Sequence, residues 1–167
     1  MISSRRAGFT LVELLVAMAV FSIVVAIATG GFIRALRTQR QLVAFASANS
    51  NVSLVLEQMA REIRVGREFS QQDRERISFV NGRGDLVTYA YDPDLETILK
   101  TTGDGSPQPL TSQNVSVRNL TFLTQFLGED DYPARVTVRV GVAPKEVGVS
   151  TSVIRIQTTV SARSLGT

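Results

Sequence analysis

The sequence predicts an α+β protein, with one long amino-terminal helix followed by a domain of antiparallel strands. Three observations predict it. An apolar run extends from Phe9 to Ile33. No proline occurs from Met1 to Tyr91, and apolar residues keep a helical spacing as far as Arg67. After Gly66 the hydrophobic pattern changes to period two, which is the spacing of half-buried strands.

The apolar run comes first. From Leu14 to Ala28 its single polar side chain is Ser22. A helix over 9–33 would be about 37 Å long at 1.5 Å per residue. That is enough to cross a hydrocarbon layer of about 30 Å. Glu13 is the exception. A carboxylate is costly in lipid and marks a functional position there, although the first turn of a helix favours an anion through the macrodipole. Ala19, Ser22, Ala26 and Gly30 are spaced by three, four and four, so they form a stripe of small residues that suits close helix packing. Gly30-Gly31 is a weak point in helical propensity.

The second half of the helix, over 34–67, is amphipathic. Leu36, Val43, Val52, Val55, Leu56, Met59 and Ile63 are expected to form the stripe that packs on the chain's own domain. Glu57 and Arg61 stand four apart, as an ion pair along a helix requires. The whole helix, over 9–67, would measure about 90 Å. Half in a membrane and half on a sheet accounts for that length.

Strands are expected over 76–80, 86–91, 95–101, 115–127 (one strand or two), 135–142 and 150–162. Turns fall at Asn81–Asp85 and Asp92–Asp94. A Gly- and Pro-rich loop runs from Gly103 to Pro109, and an acidic loop from Gly128 to Pro133. The domains expected are therefore 1–8, 9–33, 34–67 and 68–167.

Composition removes several function classes. The 167 residues include no Cys and no His. Disulfides, thiolate nucleophiles, zinc sites and Ser-His-Asp hydrolysis are thereby excluded. The net charge is +3, from 18 basic and 15 acidic residues. Loss of Arg5 and Arg6 with a leader would leave 16 basic residues and a charge of +1. Global charge then argues against a nucleic-acid partner. Arg34, Arg37, Arg40, Arg61, Arg64 and Arg67 lack interleaved aromatics and read as a headgroup-facing and solvated surface.

Other short motifs carry less. Arg83-Gly84-Asp85 falls in an expected hairpin turn, where Gly and Asp belong anyway. Asp92, Asp94 and Glu96, and the run Glu129-Asp130-Asp131, are oxygen donors that could meet Ca²⁺. A solvated turn is the expected role, and no metal or other cofactor is expected. Asn51, Asn114 and Asn119 open three glycosylation-type triplets within expected helix or strand.

Three fates of the amino terminus fit the residues: an uncleaved anchor, signal-peptidase release after Ala28 at Ala26-Ile27-Ala28, or a cut between Gly8 and Phe9. Gly8-Phe9-Thr10-Leu11-Val12-Glu13, preceded by Arg5-Arg6 and followed by about twenty apolar residues, resembles the class III signal of type IV pilins and type II secretion pseudopilins. The strand layout is most similar to minor pilins and J-type minor pseudopilins. The resemblance implies cleavage after Gly8 by a prepilin peptidase and N-methylation of Phe9. It also implies assembly through Thr10, Leu11, Val12 and Glu13, with Glu13 neutralising the amino terminus of an adjacent subunit.

The partners implied are the peptidase, other pilin or pseudopilin subunits, an inner-membrane assembly platform and the lipid bilayer. The expected product is a non-enzymatic minor subunit, held in the bacterial inner membrane with its carboxy-terminal domain outside the cytoplasm and then built into a filament. Arginines flank both ends of the span, so orientation follows from the resemblance and not from charge. The competing expectations are a single-span anchored binding domain and a secreted β-domain adhesin.

Overall fold

The computed structural model describes residues 8–125, 132–145 and 152–163. Helix α1 (Leu11–Arg64) is followed by strands β1 (Arg67–Asp73), β2 (Arg76–Val80), β3 (Leu86–Asp92), β4 (Thr97–Thr102), β5 (Gln108–Pro109), β6 (Val115–Gln125), β7 (Arg135–Pro144) and β8 (Ile154–Ser161). The architecture is α+β, as expected. The chain divides into two compact units after Leu42, inside α1.

Within Val43–Thr167 the strands form two antiparallel sheets, each running in sequence order: β1-β2-β3-β4-β5 and β6-β7-β8. The sequence pattern gave antiparallel strands without dividing them between sheets. The break falls at Thr111–Asn114, where the chain leaves β5 and starts the longest strand. β6 is a single strand with a register shift between Val117 and Asn119. Its other edge meets the first sheet locally, in backbone bonds from the Val117 amide to the Glu96 carbonyl (2.8 Å) and from the Phe122 amide to the Arg74 carbonyl (2.7 Å).

α1 ends three residues before the expected position, for a steric reason. A Cβ on Gly66 would lie 2.6 Å from the Phe79 ring, so only glycine lets the helix end close onto that ring. The chain then enters β1, a strand missing from the sequence expectation. β1 is an irregular edge strand of mostly polar residues, in which only Phe69 and Gln71 are half-buried. Period-two hydrophobicity does not register such a strand.

The core is one cluster. Ala48, Val52, Val55, Leu56, Met59 and Ile63 come from α1. Ile77, Phe79, Val87, Tyr89 and Ile98 come from the first sheet, and Leu120, Phe122, Val136, Val138 and Val140 are among those from the second. Each such side chain, fully buried, contributes about 1.5–3 kcal/mol. Leu36 and Val43, expected in the same stripe, are exposed, and burial on α1 begins at Ala48. At 100° per residue Val43 lies about 160° around the helix from Met59, on the opposite face.

Two carboxylates fasten the elements. Glu62 on α1 accepts from Lys100 Nζ of β4 (2.5 Å) and from the Tyr89 hydroxyl of β3 (2.9 Å). Burial pushes the Glu62 pKa up, but the bonds from Lys100, Tyr89 and Gln58 outweigh it and leave the group below its ordinary range. Burial, followed by the Glu62 charge, pushes the Tyr89 phenol well above its ordinary value. Glu96, in the left-handed region at φ 51°, accepts from Ser116 Oγ and Arg118 (2.6 Å each) and lies 3.7 Å from Lys145. It therefore joins the β3–β4 turn to the second sheet. The Ser116 bond lowers its pKa against a smaller opposing effect of burial, with Arg118 and Lys145 adding to the lowering.

Both carboxylates are depressed, so their stabilisation is fully present above the ordinary carboxylate pKa of about 4.3. It is lost as pH falls through their lower folded values. The urea midpoint is expected to drop between pH 5 and pH 2.5, and to drop less in a Glu62→Gln, Glu96→Gln variant. An equal drop in that variant would assign the acid sensitivity to other groups.

Candidate functional site

The apolar amino-terminal segment is the feature the fold leaves without a partner. Thr10 caps α1: its Oγ1 accepts from the Glu13 amide (3.2 Å) and its carbonyl from the Leu14 amide (3.2 Å). Thr10-Leu11-Val12-Glu13 therefore has the spacing of a capping box, a helix-start signal that the sequence reading passed over. Glu13 lies in the first turn of α1 and is exposed. Gly8 and Phe9 precede the helix, and Phe9 is 84% exposed.

Beyond Glu13 the helix is apolar on every side and entirely exposed as far as Ile33. It is long and apolar enough to cross a membrane. Its few hydroxyls are satisfied internally: Ser22 Oγ donates to the Met18 carbonyl and Thr29 Oγ1 to the Val25 carbonyl, each at 2.8 Å. In lipid, where water cannot serve them, such groups need partners of this kind. Ala19, Ser22, Ala26 and Gly30 all lie exposed along this stretch. Gly30 and Gly31 continue the helix without a break, and nothing stands within 4 Å of a Cβ at either position.

The remaining sequence motifs fall into structural work. Asp92 Oδ1 accepts the amides of Asp94 and Leu95 (3.0 Å each), and Glu96 is engaged between the sheets. Asp94 is exposed on the same turn. In Arg83-Gly84-Asp85, the amides of Arg83 and Asp85 both reach Asn81 Oδ1, and Gly84 takes φ 93°. That motif is a hairpin turn. Glu57 and Arg61 form the expected pair at 3.6 Å, both well exposed. Asn51 Oδ1 accepts the Ser112 amide, and Asn114 Nδ2 reaches Ser47 Oγ. Arg5, Arg6 and Glu129-Asp130-Asp131 lie outside the described residues.

Residues 3–29 match the family model described as the prokaryotic N-terminal methylation motif. That motif supports kinship with type IV pilins and pseudopilins. The match spans the Gly8-Phe9 junction, Glu13 and most of the exposed apolar stretch. It marks the protein as a pilin-like substrate of prepilin peptidase with a membrane-anchoring helix. Comparison with curated proteins and with solved structures gives no match.

Proposed function

We propose that this pilin-like chain is a structural minor subunit of a type IV pilus or type II secretion-like filament. In this reading it is cut after Gly8, methylated on Phe9 and assembled through its amino-terminal helix. The observation that carries the reading is the methylation motif at residues 3–29, set on a helix whose apolar side chains from Leu11 to Ile33 are exposed. A span inserted in lipid and then packed against other subunits is the economical use of that surface.

Glu13 has a defined task here. Cleavage after Gly8 creates a free amino terminus at Phe9, one turn from the carboxylate in sequence. In an apolar bundle an unpaired charge of either sign is costly, and pairing Glu13 with the amino terminus of the adjacent subunit relieves both. The packing extends beyond the span. Val43 and Leu54 stand eleven apart, close to three helical turns, and are 63% and 66% exposed. They form an apolar line on the face of α1 turned away from the core, suited to a neighbouring helix.

Mass spectrometry of the mature chain from its native host tests the processing. The expected amino terminus is N-methyl-Phe9. A chain starting at Met1 would support an uncleaved anchored domain, and one starting at Thr29 a secreted β-domain; either would overturn the proposal.

A further inference from the structure

The outer face of the β6–β8 sheet carries a charge arrangement that neither the core nor helix assembly uses. Register places Arg135 opposite Ser161, Arg139 opposite Gln157, and Gly141 opposite Arg155. Alternation turns Val136, Val138 and Val140 into the core and the arginines outward. The outward positions of the three strands, from Asn119 to Gln125, Arg135 to Gly141 and Arg155 to Ser161, include no Asp or Glu. Among the described residues no carboxylate pairs with Arg135, Arg139 or Arg155.

The three guanidinium groups are set along the strand direction. At about 3.3 Å per residue, Arg135 and Arg139 stand about 13 Å apart and the row of Arg155 about 7 Å further on. Arg139 is held in place, since its Nε donates to Gln157 Oε1 at 2.8 Å. Gly141 leaves a gap in its row, which the Asn119 side chain overlies: a Cβ at Gly141 would meet Asn119 Oδ1 at 2.0 Å. Between Arg139, Arg155, Asn119 and Gln157 lies a hollow of about 200 Å³. It offers two cations and two amides to one small anionic unit.

We propose that this face binds a linear acidic polysaccharide, with carboxylates of one polymer chain on Arg135, Arg139 and Arg155 and one sugar unit seated in the hollow. Guanidinium groups suit carboxylates through paired N–H donors. The Thr137 and Thr159 hydroxyls, 2.9 Å apart beside the arginines, with Asn119 and Gln157, supply donors and acceptors for sugar hydroxyls. Nucleic acid fits less well, because among the described residues the outward strand positions hold no aromatic ring on which a base could stack. A second copy of the chain would have to reach these arginines with carboxylates other than Glu62 and Glu96, which are paired, and Asp73 and Asp92, which cap turns. The inference rests on the sheet alone and is separable from filament assembly.

The test is binding of the full chain in detergent micelles to a polyuronate such as alginate, beside neutral dextran and single-stranded DNA of equal charge number. Polyuronate is expected to bind in a salt-sensitive way and dextran not to bind. Arg139→Gln, Arg155→Gln together should weaken polyuronate binding about tenfold or more, with the thermal midpoint unchanged. Arg83→Gln, an exposed charge elsewhere, should leave it unaltered. Absence of polyuronate binding, equal or tighter binding of DNA, or an undiminished affinity in the double variant would overturn the proposal.

Discussion

Glu13→Ala is expected to leave cleavage after Gly8 intact while reducing recovery of the chain with other pilin-type subunits about tenfold or more. The two effects separate because they rest on different features. In the proposed reading the cut depends on the Gly8-Phe9 junction, whereas Glu13 sits inside the first turn of α1, whose start is defined by Thr10 and does not need the carboxylate. Assembly is where the charge matters. Removing one member of a pair in low dielectric costs about 3–5 kcal/mol, because the other charge is left buried and alone. Even the lower figure corresponds to about a hundredfold in an equilibrium, and partial solvation of the amino terminus brings the expectation back towards tenfold.

Glu13→Gln keeps the size and the cap and removes only the charge, so it should behave as the alanine variant does. The readout is the mass of the mature chain, together with its co-recovery in the filament or membrane-complex fraction. Normal recovery of both variants would remove Glu13 from assembly. Loss of cleavage would move it to peptidase recognition.

The second large effect concerns stability of the Val43–Thr167 unit. Met59→Ala is expected to destabilise it by about 2–5 kcal/mol. Met59 is fully buried at the centre of the apolar face of α1, between Val55 and Ile63, in the cluster that both sheets share. Truncation removes its transfer free energy and leaves a cavity that the surrounding valines and aromatic rings refill only in part.

Leu54→Ala is the matched control. Leu54 is on the same helix but 66% exposed, and a surface substitution of this kind changes stability by less than about 0.5 kcal/mol. Urea unfolding in detergent, followed through the strand signal, should give a clear fall in midpoint for Met59→Ala and almost none for Leu54→Ala. The two should reverse in assembly, where Leu54 lies with Val43 on the exposed face of α1. Equal stability losses would mean that the helix face is assigned wrongly.

How far the residues could be read varied with the kind of signal they carry. The start of α1 was legible twice over, as the edge of an apolar run and as a Thr-x-x-Glu spacing whose capping bond the structure shows. The hairpin β2–β3 was legible because Asn81-Gly82-Arg83-Gly84-Asp85 supplies both the side chain that bonds the turn and a glycine at positive φ. β1 was not legible, since its residues are polar and its existence depends on the edge of β2 waiting beside the helix end. Leu36 and Val43 were misplaced because spacing alone does not say which of two apolar faces a sheet will cover.

The sequence by itself determined the long apolar helix, the methylation motif at its start and the period-two strands, all of which are local patterns along the chain. Only the tertiary structure decided three other matters. It divided the strands into two sheets, because that depends on which edges can pair. It turned Glu96 from a free turn carboxylate into the bond between those sheets, because Ser116, Arg118 and Lys145 lie 20 or more residues away. And it gathered Arg135, Arg139 and Arg155 onto one face, with no acid at the outward strand positions among the described residues, because strand register, and not sequence distance, sets which side chains share a surface.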